Sequence, residues 1–170
     1  MTDWQAIVER HGSAVWQTAY RLLDDPTDAA DCFQETFVSA LAVLRRGPVQ
    51  NWPALLKRLA TTRALDRLRR RSRHAKHHHD IADWTSIAGK NPGPVEQAEN
   101  SELAANLREA MARLPSRQAE IFCLRHIEGL SYDEIGHQLG LDSNTVGVQL
   151  HRARQRLREL LSSVVDANER

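Results

Sequence analysis

Several residue types that mark whole protein classes are scarce in this chain. There are only two cysteines, Cys32 and Cys123, with no C-x-x-C spacing. That excludes a disulfide framework and argues for two buried, reduced thiols in place of a metal or redox pair. Aromatic residues make up 5% of the sequence, and proline and glycine number 6 and 8. A Pro/Gly-rich disordered or fibrous chain would have far more of both. No stretch approaches eighteen uncharged apolar residues, so no membrane insertion is expected. The opening MTDWQAIVER lacks the basic start and apolar run of a secretory leader, which sets cytoplasmic location as the expectation. Paired carboxylates, a nucleophile arrangement and a phosphate-cradling glycine loop are also missing, so neither an enzyme nor a cofactor is expected.

What is present is charge, and it is segregated. Hydrophobic residues at 41% suffice for a core, and the 26% charged residues nearly cancel to a net charge of +1. From Asp3 to Glu35 the charges are mostly acidic: Asp24, Asp25, Asp28 and Asp31 face only Arg10 and Arg21. From Arg45 to Lys76 the balance reverses, with Arg58, Arg63, Arg67 and Arg69–Arg71 against Asp66 alone. Between Asp80 and Glu102 acids dominate again, and the last helical pattern is basic. Local blocks of this kind steer polyanions and acidic segments regardless of the total.

Hydrophobic periodicity predicts helices throughout, hence an all-α protein. Trp4, Ile7, Val15, Ala19, Leu22 and Leu23 space a first helix that Gly12 should interrupt. Pro26 or Thr27 opens a second, with Phe33, Phe37, Ala40, Leu41 and Leu44 inward and Asp28, Asp31, Gln34 and Glu35 on another face. Acids near a helix start suit its dipole, and they equally suit a docking face. After the RRGPVQNWP break, Asn51 can cap a third helix reaching about Arg71, with Leu55, Leu56, Leu59, Ala60, Leu65 and Leu68 inside. From about Arg73 to Pro94 the helical period disappears and His74, His77, His78, His79 and GKNPGP collect, so residues 74–98 read as a flexible acidic, His-rich linker. No acid or cysteine partner is fixed beside those histidines, so a solvated tract is preferred over a metal site. Helical order returns near Val95, with Leu103, Leu107, Ala110, Met111 and Leu114 on one face, and Ser116 is expected to cap a short helix holding Ile121, Phe122, Leu124 and Ile127.

The final stretch, Leu130 to Leu161, is the most informative. Ser131 and Glu134 have capping-box spacing, Gly140 sits where a left-handed residue ends a helix, and Asp142 or Ser143 can cap a second, longer helix. Val146, Leu150, Ala153, Leu157 and Leu160 then form one stripe, opposite His151, Arg152, Arg154, Arg156 and Arg158. A capped short helix, a glycine turn and a long basic helix make a helix-turn-helix, whose second helix enters a DNA major groove. A hairpin with a merely solvated basic face, or one that binds a protein, has the same periodicity.

Taken in order, four segments resemble the extracytoplasmic-function class of bacterial sigma-70 factors: DAADCFQETFVSAL (28–41), NWPALLKRLATTRALDRLRRRSR (51–73), LPSRQAEIFCLRHIEGLSYDEIGHQLGL (114–141) and TVGVQLHRARQRLREL (145–160). The resemblance implies two small helical bundles, a sigma-2-like domain over 1–73 and a sigma-4-like domain over 99–165, joined by the 74–98 linker and ending in a 166–170 tail. It implies core RNA polymerase as partner, through the clamp at Asp28, Asp31, Gln34 and Glu35 and through the flap near Phe122. It further implies promoter DNA, the −10 element at Gln50, Asn51, Trp52, Lys57, Arg58, Thr62, Arg63, Arg67 and Arg70. The −35 element would fall to Ser143, Asn144, Thr145, Gly147, Val148, His151, Arg152 and Arg154, with Arg154 at phosphate. An anti-sigma factor is a further implied partner. The chain departs from the family pattern at Gly147-Val148-Gln149, where basic residues and a serine are common, and at Thr62, where asparagine is frequent. A stand-alone helix-turn-helix regulator is the alternative, but it leaves the acidic second and basic third helices unexplained.

Overall fold

A computed structural model describes residues 3–77 and 95–168, and all regular structure among them is helical. The N-terminal half holds α1 (Trp4–Leu23), α2 (Pro26–Leu44) and α3 (Trp52–His77). The C-terminal half holds α4 (Val95–Ala112), α5 (Ser116–His126), α6 (Tyr132–Leu139) and α7 (Ser143–Asn168).

Side-chain caps set most of the boundaries. Asp3 accepts from the Ala6 amide at 3.2 Å, Asp25 from Asp28 at 2.8 Å, and Asn51 from Ala54 at 3.0 Å. Each satisfies an amide that a helix start leaves without an internal partner. Asp24 closes α1 in the left-handed region at φ 51°, its amide donating to the Tyr20 carbonyl. Four expectations change. Helix α1 runs straight through Gly12, which packs beside the Phe33 ring, 3.5 Å from where a Cβ would lie. Helix α3 continues to His77, past the expected end near Arg71, so His74 and His77 are helical while His78 and His79 lie outside the described residues. Ser116 is the first residue of α5 and makes no capping bond; Pro115 precedes it. Leu103, expected inward, is 58% exposed.

Among the described residues, three apolar clusters hold the fold together. One lies within the N-terminal bundle: Ile7, Val15, Phe37, Ala40, Leu56 and Ala60, edged by Trp4 and Trp52. A second lies within the helix-turn-helix: Ile121, Leu124, Ile135, Val146 and Leu150. The third spans both halves, joining Leu22, Leu23, Cys32 and Leu65 to Met111, Leu114, Cys123 and Leu157. Burying a leucine contributes roughly 1.5–3 kcal/mol, so the cluster that spans both halves is a substantial part of the fold's stability. The relative placement of the two bundles, open in the sequence, is therefore a packed one. Burial pushes the Cys32 thiol up to about 11, despite the Thr36 hydroxyl, and the Cys123 thiol up to about 12. Both are protonated at neutral pH and serve as small apolar fillers.

Polar contacts tie the halves along the same seam. Glu128, its side chain 5% exposed, accepts from the Thr18 hydroxyl at 2.5 Å and faces Lys57 Nζ at 3.6 Å. Arg58 Nε donates to Glu120 at 3.1 Å, and its Nη1 donates to the Gln138 carbonyl at 3.0 Å. That carbonyl lies in the last turn of α6, where helical carbonyls lack amide partners and a cation is favourable. Arg108 pairs with Asp24 at 3.4 Å.

Candidate nucleic-acid interface

The α6–turn–α7 unit forms for reasons that are local. Ser131 and Glu134 complete the capping box, at 3.1 Å and 2.7 Å. The backbone bonds to Ser131 hold the Glu134 carboxyl below its ordinary pKa. Gly140 takes φ 66°, which glycine adopts without steric cost. Asp142 then caps α7, accepting from the Thr145 hydroxyl at 2.7 Å and the Thr145 amide at 2.9 Å, which holds its own carboxyl low. A residue that sequence reasoning passes over makes the turn possible. A Cβ at Gly136 would come within 2.4 Å of the Leu141 carbonyl oxygen, and that close approach is what folds α7 back across α6. The only trace of this in the sequence is a glycine inside a helical pattern.

The expected −35 residues separate into two groups. Ser143 and Thr145 face inward to the turn: Ser143 donates to Asp133, and Thr145 is held by Asp142. The side chains of Asn144, Val148, His151 and Arg152 are exposed on the outer face of α7 and make no hydrogen bond or ion pair among the described residues. Gly147 lies between them, against the Tyr132 ring. Arg154 is turned aside, its Nη2 3.1 Å from His126 Nε2. Partial desolvation, then the charges of Arg154 and Arg125, lower the His126 pKa from its ordinary value, and the exposed ring accepts from the arginine at Nε2.

The expected −10 residues are mostly engaged within the protein. Gln50 and Asn51 are exposed ahead of α3, Asn51 as its cap, while Trp52 is half-buried edge-on to Trp4 with centroids 5.9 Å apart. Lys57 and Arg58 face α5 and α6 across the seam. The Thr62 hydroxyl donates to the Arg58 carbonyl at 2.9 Å, and Arg63 donates to Ser39 at 3.1 Å. Arg67 lies among the acids of α2: 3.2 Å from Asp28, 3.3 Å from Asp31 and 2.7 Å from Glu35. Burial opposes its charge, but the Glu35 hydrogen bond and the Asp31 and Asp28 charges outweigh that and raise its pKa further. Arg70 is exposed without a partner among the described residues. Asp31, Gln34 and Glu35 thus line a groove of about 520 Å³ together with Arg63, Arg67 and Arg70, so the expected polymerase and −10 residues meet there.

Residues 7–74 match the family Sigma-70 region 2, and residues 104–157 match Sigma-70, region 4. The chain is 31% identical over 92% of its length to the RNA polymerase sigma factor CnrH of Cupriavidus metallidurans, covering 85% of that protein. The chain belongs to the sigma-70 family. Its class is the extracytoplasmic-function one: SigE of Mycolicibacterium smegmatis is 35% identical over 95% of this chain, and SigW of Bacillus subtilis 26% identical over 91%. The chain spans 63% of the length of that SigE and 87% of SigW. It is a transcription-initiation factor, acting with core RNA polymerase at promoters. Two solved structures share the fold. CnrH in complex with the cytosolic domain of CnrY superposes with a TM-score of 0.55 at 25% identity, covering 94% of this chain and 88% of that one. RpoE with the anti-sigma factor NepR from Bartonella quintana superposes at 0.54, 22% identical, covering 95% and 98%.

Within this sigma factor, Phe122 is half-buried between the shared and helix-turn-helix clusters, its ring centroid 4.6 Å from that of His126. It carries packing as well as any contact it makes outside the chain. No helix is long and apolar enough to cross a membrane among the described residues.

Proposed function

We propose that this sigma factor grips its promoter at two points, with α7 reading the −35 element and the Gln50–Trp52 loop with α3 taking the −10 element. The observation that supports it best is the outer face of α7. Asn144, Val148, His151 and Arg152 stand exposed and unpaired at the start of a helix whose other face is fixed by caps and core. Asparagine and arginine are the side chains whose geometry matches adenine and guanine edges in the major groove. On the polymerase side, Asp31 and Gln34 are the most exposed of the α2 docking residues and would meet the clamp, with the flap approaching near Phe122. Lys57 and Arg58 reach −10 DNA only when the two halves part, since both are held across the seam. Free in solution, the chain binds duplex weakly and gains promoter affinity with core polymerase. It catalyses no reaction of its own, works in the cytoplasm, and is restrained by an anti-sigma factor that engages both halves.

Run-off transcription with purified core polymerase on a genomic promoter library tests this. Initiation from a set of templates sharing two spaced motifs is expected, and its absence overturns the assignment. Asp31→Ala with Gln34→Ala should weaken holoenzyme assembly while leaving the helical signal intact; unchanged assembly removes that face from the clamp contact.

A further inference from the structure

On the outer face of the helix-turn-helix, a shallow groove of about 560 Å³ runs between Tyr132 and the start of α7, lined mainly by apolar atoms. Its floor is Gly147, where even a Cβ would touch the Tyr132 ring at 3.4 Å. One wall is the Tyr132 ring, steadied by the Arg125 guanidinium 5.5 Å above its centroid and by the helix-turn-helix cluster. The other wall is Val148, 49% exposed and one of few large apolar side chains on the surface. Asn144, His151 and Arg152 rim the groove with polar and cationic groups that face outward. Nothing in the fold calls for this arrangement. A glycine and a β-branched residue side by side are both unfavourable within a helix, and an alanine and a lysine would suit a solvated face better.

The arrangement matches one group in duplex DNA. Among the atoms that base pairs present in the major groove, the thymine 5-methyl is the apolar one, and it projects toward a docked helix. A longer side chain at position 147 would fill the notch between Tyr132 and Val148. We infer that Val148, Gly147 and Tyr132 form a receptor for a thymine methyl, so that this sigma factor selects its −35 element partly by apolar contact with an A·T pair. Asn144, one turn before Val148, stands where the adenine of the same pair or of its neighbour offers N6 and N7. Arg152, one turn after, carries the charge for an adjacent guanine or phosphate. The inference rests on the assignment of α7 to the −35 element.

The test uses holoenzyme assembled from core polymerase and the full chain. Templates with a randomised upstream element are selected by run-off transcription, and thymines of the winning element are then replaced singly by deoxyuridine, which lacks only the methyl. One or two adjacent positions should lose roughly fourfold in initiation, the discrimination expected for burying one methyl group. Val148→Ala should flatten the difference between thymine and deoxyuridine templates. Gly147→Lys should erase it, and Gly147→Ala should keep most of it. Deoxyuridine templates as active as thymine ones, or full discrimination by Val148→Ala, overturn the inference. Arg152→Ala separates the two levels. If it weakens initiation from the selected element while deoxyuridine is silent, only the methyl receptor fails. If it is also without effect and no upstream motif is selected, the −35 assignment falls with it.

Discussion

The two basic helices, α3 and α7, look alike in sequence and differ in what their cations do. On α3, Lys57, Arg58, Arg63, Arg67, Arg69 and Arg71 all face carboxylates: Glu128, Glu120, Asp66, the α2 acids, Asp66 again and Asp28. Arg71 also donates to the Leu23 carbonyl at 2.9 Å, closing the end of α1. On α7, His151 and Arg152 are exposed and make no such pair among the described residues, and Arg156 meets only the nearby exposed Glu159. A run of arginines therefore says little by itself about nucleic-acid contact. What decides is whether acids from elsewhere in the fold reach it first, because a paired and partly desolvated guanidinium must give up a charge partner before it can take a phosphate.

The contrast between the helices can be broken at several points, beginning where the effect is largest. Gly136→Ala should cost about 3 kcal/mol, because the new Cβ collides with backbone that cannot retreat without reopening the turn. Thermal unfolding should show it, and promoter-specific initiation should fall with the fold; a loss below about 0.5 kcal/mol would mean the turn relaxes freely. Next comes a dissociation between the helices. Arg67→Ala should lower stability by about 1–2 kcal/mol, leaving Asp28, Asp31 and Glu35 to repel one another. Arg152→Ala should leave the melting temperature where it is while cutting promoter-specific initiation about tenfold. Equal stability losses from the two variants would end the distinction between α3 and α7. Across the seam, a double-mutant cycle between Arg58 and Glu120 should give a coupling of about 0.5–1 kcal/mol in chemical denaturation, modest because the arginine keeps contact with solvent.

The smallest effect is a pH dependence. The folded pKa of His126 lies below its ordinary 6.5, so the unfolded chain takes up a proton there first as pH falls. Stability from this residue is complete above that value and declines below it. Melting temperatures between pH 7.5 and 5.5 should fall more steeply for the wild type than for His126→Gln. Parallel curves would show the ring is not held neutral.

How much can be read in the residues depends on the range of the forces. The capping box at Ser131 and Glu134, the Gly140 stop and the inward stripe Val146–Leu150–Ala153–Leu157 are contacts within a few turns, and the structure has them at those positions. Asn51 capping α3 and Pro26 opening α2 belong with them. The misses are of the opposite kind. Gly12 reads as a break in α1, yet it sits under the Phe33 ring, a partner from another helix. That acids one helix away hold Arg67 is likewise invisible in the residues around it. Gly136 carries no signal of its own, because the carbonyl it makes room for belongs to the far side of the turn.

The sequence by itself determined an all-helical chain, the Asn51 and Ser131 caps, its two sigma-like segments and the family they belong to, because capping, periodicity and turn chemistry are written over three to seven residues. Only the tertiary structure decided that the halves share a core around Leu22, Leu65, Met111 and Leu157, that α3 spends most of its cations on acids within the chain, and that Gly147 opens a notch beside Tyr132. Those outcomes depend on which surfaces meet when the helices pack, and no local pattern fixes that geometry.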